Sequence, residues 1–350
     1  MVNEDFSTFI YQPGMYELNF ERTHQNFFPA HLKVPFYNNE PNEDNDIFSR
    51  RNLLISFSNN RRTLELQNKL SYINGELEIA RIIDNLSGYF QTFINGKYSN
   101  YFISDLIKKA SKSQKIKIIH EVYGIIDQLA ISEYGSHPIQ TMVEKASSKE
   151  EINLLINAVC KKKVFLKIAK SPNGTHVIQK IISHFNENYR LKINKLIIEN
   201  ILSLSTDIHG VCIVVKYICN CDNIKNLTYI VFLFTQYFRF VSENEYGNYA
   251  VQALCKKVQN IENLNTIMNN TILENFLNLS MNKFGNHIIN SYLYKINSAD
   301  LKKLLDYLSV DNRLTTLYYN EFGNSIICRL LNAANQNEKE LFLSLLPISY

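Results

Sequence analysis

The chain has 350 residues, 37 basic against 33 acidic side chains and a hydrophobic content of 45%, which excludes a disordered chain and leaves room for two ordinary domains or one elongated array. Its 11 glycines and 7 prolines are too few for the many tight turns of a β-sandwich or propeller, so the composition points to helices. The net charge of +4 is unevenly placed: residues 1–50 hold eight acids and three bases, leaving +9 on the remainder, an excess that permits nucleic-acid binding without establishing it.

The amino-terminal MVNEDFSTFI has no basic segment ahead of an apolar run, so no secretory signal is expected and the six cysteines should be reduced thiols. The stretch NNEPNEDND from Asn38 buries too little apolar area to order itself, and residues 1–46 are expected to be a flexible acidic leader. From Ile47 onward, apolar residues recur three and four apart, as in LIKKASKSQKIKIIHEVYGIIDQLA and LKKLLDYLSVDNRLTTLYY, the spacing of amphipathic helices joined by short turns. Basic runs such as KKASKSQKIK from Lys108 read as solvated helix faces. Apolar runs such as Tyr229 to Phe234 are far shorter than the roughly 20 residues that cross a bilayer, so a soluble intracellular protein with no membrane partner is expected.

One short block recurs along the chain. It reads EYGSHPIQTMVEK from Glu133, PNGTHVIQKII from Pro172, IHGVCIVVKYI from Ile208, EYGNYAVQALCKK from Glu245, KFGNHIINSYL from Lys283 and EFGNSIICRLL from Glu321. KYSNYFISDLIKK from Lys97 carries Ser99 in place of the glycine, and NRRTLELQNKL from Asn60 is a weaker copy with Arg62 there. Counted at that position the blocks fall at 62, 99, 135, 174, 210, 247, 285 and 323, separated by 36 to 39 residues. A period of this length predicts helical units that bury their apolar faces only by stacking on one another, so the fold is expected to be a single α-solenoid.

Within each block, the residue after the glycine and the fourth residue beyond it share a helix face. Asn248 and Gln252 are such a pair and are expected to point outward, while Ala250, Val251 and Leu254 point into the stack. The residue following the first of the pair should lie at the rim of the surface. It is Leu64, Tyr101, His137, His176, Cys212, Tyr249, His287 and Ser325 in the eight blocks, so five are planar rings suited to stacking on a nucleobase. Polar pairs interleaved with rings at a regular rise suit single-stranded RNA read one base per repeat. For a lone Asn at the first position the plainer reading is that it satisfies backbone groups at a helix start; eight aligned blocks with planar neighbours favour base contact. The candidate RNA-binding residues are Asn100, Tyr101, Ser104, Ser136, His137, Gln140, Thr175, His176, Gln179, Asn248, Tyr249, Gln252, Asn286, His287, Asn290 and Asn324.

The blocks resemble the recognition helices of Pumilio-family (PUF) repeats, and GNYAVQ from Gly247, GTHVIQ from Gly174 and GSHPIQ from Gly135 carry the likeness together with the period. The resemblance implies an all-α, right-handed, crescent-shaped α-solenoid of about eight three-helix repeats over residues 47–350. It further implies binding of messenger RNA 3′ untranslated regions on the concave face, with the carboxy-terminal repeats at the RNA 5′ end. In that family Asn with Gln tends to select uracil and Ser with Gln adenine, which implies uracil for Asn248 with Gln252 and adenine for Ser136 with Gln140, Thr175 with Gln179 being a variant. No block carries the Ser and Glu pair that reads guanine; the seventh has Asn286, His287 and Asn290 where the family normally supplies it. The eighth has Asn324, Ser325 and Cys328, and the fifth has Val211, Cys212 and Val215, with almost no hydrogen-bonding capacity. Relaxed or altered specificity, centred on repeats two to four and six, is expected in place of a UGUA-type element.

No phosphate-binding glycine loop, nucleophile elbow or zinc-protease helix occurs, and Cys219 with Cys221 has no second cysteine pair at metal-site spacing. The chain is therefore expected to be no enzyme and to need no metal or cofactor. The leading expectation is a monomeric cytoplasmic RNA-binding regulator of mRNA translation or decay, with protein effectors on the convex face. Two alternatives stand beside it: a nucleolar Pumilio-like factor on precursor ribosomal RNA, and a protein-binding scaffold that has lost RNA contact.

Overall fold

In a computed structural model, which describes residues 46–344 and 346, the three-and-four spacing becomes helix throughout, with no strand among the described residues. These residues belong to one compact unit that begins at Asp46. Apart from Asp46, the leader expected over residues 1–46 lies outside the described residues.

Helices come in threes. In repeat 3 a short first helix, Ile126–Ile131, is followed by an inner helix, Ser136–Lys145, and an outer helix, Lys149–Val159. The same order recurs in the other repeats, whose inner helices are Asn60–Ser71, Ser99–Lys109, Gly174–His184, Gly210–Cys219, Gly247–Val258, Asn286–Leu293 and Glu321–Ala333. Each inner helix packs on the inner helix of the next repeat, and outer helices stack likewise, Glu76–Leu86 on Lys112–Val122 and Ile224–Gln236 on Glu262–Glu274. One apolar core runs through the array from Phe48 to Leu346. Ala250, Val251 and Leu254 are fully buried in it, as the block pattern predicts, and so are Val177, Ile178 and Ile181 in repeat 4. The fold is an α-solenoid of eight three-helix repeats, and no described helix is long and apolar enough to cross a membrane.

The glycine that marks the register has a packing cause. Gly135 and Gly285 sit at ordinary right-handed helical angles, so positive φ is not the reason for glycine there. A β-carbon on Gly210 would lie 2.7 Å from the carbonyl oxygen of Leu204, and one on Gly323 would lie 2.6 Å from that of Leu317. Gly174 and Gly247 meet the carbonyls of Ile168 and Val241 more closely still. In each case the start of the inner helix is pressed against backbone six residues earlier, at the short first helix, and only glycine fits without a shift. Repeat 2 solves the same contact differently: the Ser99 hydroxyl donates to the carbonyl oxygen of Phe93, also six residues earlier, at 2.7 Å.

A second local device holds this turn. The residue three before the glycine is a short polar side chain that accepts the glycine N–H: Asp207 Oδ1 from Gly210 at 2.8 Å, and Asn244, Asn282 and Asn320 Oδ1 from Gly247, Gly285 and Gly323 at 2.9 Å. Ser132 and Ser171 supply a hydroxyl oxygen to Gly135 and Gly174. The weak first block obeys the rule, since Asn59 Oδ1 accepts from the Arg62 N–H at 3.2 Å. Such side-chain-to-backbone turns are what Asn, Asp and Ser favour ahead of a helix.

One basic run departs from expectation. Lys115, in the stretch read as a solvated face, is buried, with its ammonium 2.9 Å from Glu151 Oε1 on the next outer helix and donating to the carbonyl oxygen of Lys145. The other carboxylate oxygen of Glu151 accepts the Ser147 and Ser148 N–H groups, closing a capping box at the helix start. Burial pushes the Glu151 carboxyl up, but its bonds to Lys115, Ser147 and Ser148 outweigh that and hold it below the ordinary value.

Gly247→Ala tests the packing cause by sign. At an unconstrained helical position the change stabilises by roughly 0.5–1 kcal/mol. Here it is expected to destabilise by about 1–3 kcal/mol, read as a lower urea midpoint, because backbone must move. A raised midpoint would contradict the close approach.

Candidate nucleic-acid interface

The inner helices fix which side chains reach the surface. At the first block position the side chains are buried: Thr63, Asn100, Ser136, Thr175, Val211, Asn248 and Asn286, while Asn324 is exposed. This corrects the expectation that both members of each polar pair point outward. The asparagines turn back onto the preceding turn. Asn100 Nδ2 donates to the carbonyls of Gly96 and Lys97 at 2.8 and 3.0 Å, and Asn248 Nδ2 to those of Asn244 and Glu245 at 3.1 and 2.8 Å. Asn286 Nδ2 does the same to Asn282 and Lys283, both at 3.1 Å. The Thr175 hydroxyl donates to the His209 carbonyl of the next repeat at 3.0 Å. Gly96, Asn244 and Asn282 also accept the backbone N–H of the same asparagine, so each amide ties the helix start to the turn before it.

The second position carries the exposed surface. Tyr101 and Tyr249 are 56% and 49% exposed, and His137, His176 and His287 are exposed as well. Tyr101 and His137, from adjacent repeats, have ring centroids 5.0 Å apart with planes inclined at 54°. The aromatics before the glycine position, Tyr98, Tyr134, Tyr246, Phe284 and Phe322, are half-buried, set back from that row.

At the fifth position Gln67, Gln140, Gln179, Gln252 and Asn290 are half-buried beside the rings. Gln252 Nε2 donates to Asn248 Oδ1 at 3.0 Å, and Gln179 Nε2 to Thr175 Oγ1 at 3.3 Å. Ser104 is buried and donates to the Asn100 carbonyl at 2.9 Å, so its hydroxyl hydrogen is spent within the helix. Val215 is buried. In repeat 8, Asn324 Nδ2 donates to the Tyr318 carbonyl at 3.2 Å, and Cys328 Sγ lies 4.0 Å from Asn324 Oδ1. Repeats 3, 4 and 6 thus bring an exposed ring and a glutamine amide to one surface. Repeat 2 offers a ring without an amide, repeat 7 a ring with the shorter Asn290, and repeats 5 and 8 neither ring nor amide.

Sequence reasoning missed two residues at this surface. Asp105 Oδ2 accepts from Gln67 Nε2 at 3.1 Å, and the Ser291 hydroxyl donates to Gln252 Oε1 at 3.1 Å; each reaches the glutamine of the preceding repeat. Both stand six residues after the glycine position, a signal present in the alignment of the blocks. Two ion pairs lie on the inner helices, Lys108 with Asp105 at 2.8 Å and Lys180 with Glu144 at 3.1 Å. Two of the ring histidines have lowered values: partial burial, then Lys108, pushes the His137 imidazole below its ordinary value, and partial burial, then His209, does so at His176.

An array of stacked three-helix units whose inner helices present a ring and an amide at fixed positions defines the Pumilio-type repeat class. The family model described as Pumilio-family RNA binding repeat matches residues 126–160, 165–193 and 275–313. Suppressor protein MPT5 of Saccharomyces cerevisiae is 24% identical over 177 residues, 49% of this chain and 20% of that protein, and Pumilio homolog 12 of Arabidopsis thaliana is 20% identical over 178 residues, 50% of this chain and 29% of that protein. The chain thus spans less than a third of the length of either relative. Among solved structures, the Puf4 RNA binding domain bound to an HO endonuclease RNA 3′ UTR recognition sequence aligns with a TM-score of 0.76 at 17% identity, covering 83% of this chain and 90% of that one. The RNA-binding domain of yeast Puf5p bound to SMX2 RNA aligns with a TM-score of 0.69 at 22% identity, covering 83% and 86%. The chain thus carries Pumilio-family repeats in those three segments and resembles Pumilio-family proteins in sequence and fold.

A histidine whose folded-state value lies below its unfolded one binds fewer protons when folded, so stability is full above about pH 6.5 and is lost as pH falls through that range. The urea midpoint is expected to drop between about pH 7 and about pH 5.5, and to drop less when His137 and His176 are both changed to Gln. The same drop in that variant would contradict the lowered values of these two imidazoles.

Proposed function

We propose that the chain binds single-stranded RNA along the row of inner-helix rings, taking about one base per repeat at repeats 2, 3, 4, 6 and 7. The observation that carries this reading is the recurrence, at one helical register, of an exposed Tyr or His, joined in repeats 3, 4, 6 and 7 by an amide with hydrogen-bonding capacity to spare. Planar rings stack on any base face, and each such contact contributes roughly 1–3 kcal/mol. The RNA-bound relatives support the same reading. By that likeness the targets are 3′ untranslated regions of messenger RNA, and the protein acts in the cytoplasm as a monomer that regulates translation or decay, with effectors on the outer helices. Repeat 5, apolar at all three positions, and repeat 8, with Cys328 in place of an amide, contribute little base selectivity. No repeat carries a carboxylate at the fifth position to read guanine, so the preferred RNA lacks a sharp UGUA-type core.

Because the groups that recur at this surface are rings and amides, stacking is expected to dominate affinity. Tyr249→Ala is expected to weaken binding of a short fluorescent uridine-rich RNA about 5- to 100-fold, while leaving helical content and the urea midpoint unchanged. Gln252→Ala should weaken it about 2- to 10-fold. No binding by the unaltered protein at low salt would overturn the reading and favour a protein-binding scaffold.

A further inference from the structure

We propose that Ser291 is a specificity-setting positioning residue, acting from repeat 7 on the Gln252 amide of repeat 6. This inference rests on the RNA-binding reading and adds to it a residue outside the ring-and-amide set.

The orientation of Gln252 follows from a chain of forced choices. Both N–H groups of the Asn248 amide are taken by the Asn244 and Glu245 carbonyls, at 3.1 and 2.8 Å, so Oδ1 is the atom that faces the surface. An oxygen there requires Gln252 to present Nε2 to it, and it does, at 3.0 Å. Oε1 of Gln252 is then directed toward the next repeat, where the Ser291 hydroxyl donates to it at 3.1 Å. Anchored at both ends, the amide retains one N–H and one lone pair in a fixed plane. A base edge meeting it encounters one sense of donor and acceptor, and the other sense requires breaking both bonds.

The position is a repeated one. Asp105 stands in repeat 2 where Ser291 stands in repeat 7, and it holds Gln67 of repeat 1 by a cross-repeat bond of the opposite sense, its Oδ2 accepting from Gln67 Nε2 at 3.1 Å. Where the position is Lys180, the side chain pairs with Glu144 instead, at 3.1 Å, and no hydrogen bond is made to Gln140 of repeat 3. Gln140 can therefore turn either edge to a base, while Gln252 cannot. Selectivity at a repeat is thus set partly by the residue six past the glycine position of the next repeat.

The test is competition binding with short RNAs varied one base at a time, the nucleotide at repeat 6 being located as the one whose selectivity Gln252→Ala abolishes. Ser291→Ala is expected to reduce the ratio between best and second-best base there by about 3- to 10-fold, the worth of one hydrogen bond. The ratio at repeat 4 should stay as in the unaltered protein. Ser291→Thr, which keeps the hydroxyl, should preserve the repeat 6 ratio. An unchanged repeat 6 ratio in Ser291→Ala, or an equal change at repeats 4 and 6, overturns the inference while leaving RNA binding itself intact. If the unaltered protein binds no RNA, the RNA-binding reading falls first and the inference with it.

Discussion

The close approach of the inner helix to the short helix before it, in repeats 2 to 8, is the constraint on which the rest of the array depends. Backbone meets backbone there, so the position takes glycine, or in repeat 2 a serine whose hydroxyl turns the contact into a hydrogen bond at 2.7 Å. The same approach buries the next side chain, which explains why Asn100, Asn248 and Asn286 spend their amide hydrogens on the carbonyls of the preceding turn. With the first position sealed inside in repeats 1 to 7, the surface there is left to the residue that follows and to the one a turn further on. Geometry at one glycine thereby decides which two side chains per repeat are offered to a ligand.

The array was readable in the sequence because its markers are local. Glycine at the contact, a short polar residue three before it and apolar residues three, four and seven beyond it all act within about four turns of helix, and a period of such signals survives divergence. Even the first repeat, with Arg62 where glycine is usual, keeps Asn59 as its cap. Burial of the first-position side chains was not readable, since an asparagine at a helix start looks the same whether its amide faces solvent or a carbonyl. Nor was the Lys115 and Glu151 pair, joined across 36 residues of chain and hidden in a run of lysines that looks solvated. Ser291 and Gln252 are likewise joined only by the stacking of neighbouring repeats, 39 residues apart.

The repeats are alike in backbone and unlike in chemistry. Repeats 3, 4 and 6 pair a ring with glutamine, yet Gln252 is tied at both ends, Gln179 is tied to Thr175 alone and Gln140 is tied to nothing. In repeat 5 Val211 and Val215 are buried and Cys212 is half-buried, so the unit serves the core and the spacing of its neighbours. Rings at the second position and amides at the fifth make this surface polar and aromatic. Such a surface favours recognition by stacking and amide contact over binding driven by phosphate charge.

Photocrosslinking tests the assignment of this surface most directly. With RNA carrying a photoreactive uridine and peptide mapping by mass spectrometry, adducts are expected on the inner helices, at Tyr249 in Gly247–Val258 and His176 in Gly174–His184 above all. Adducts concentrated instead on outer helices such as Ile224–Gln236 would contradict the account.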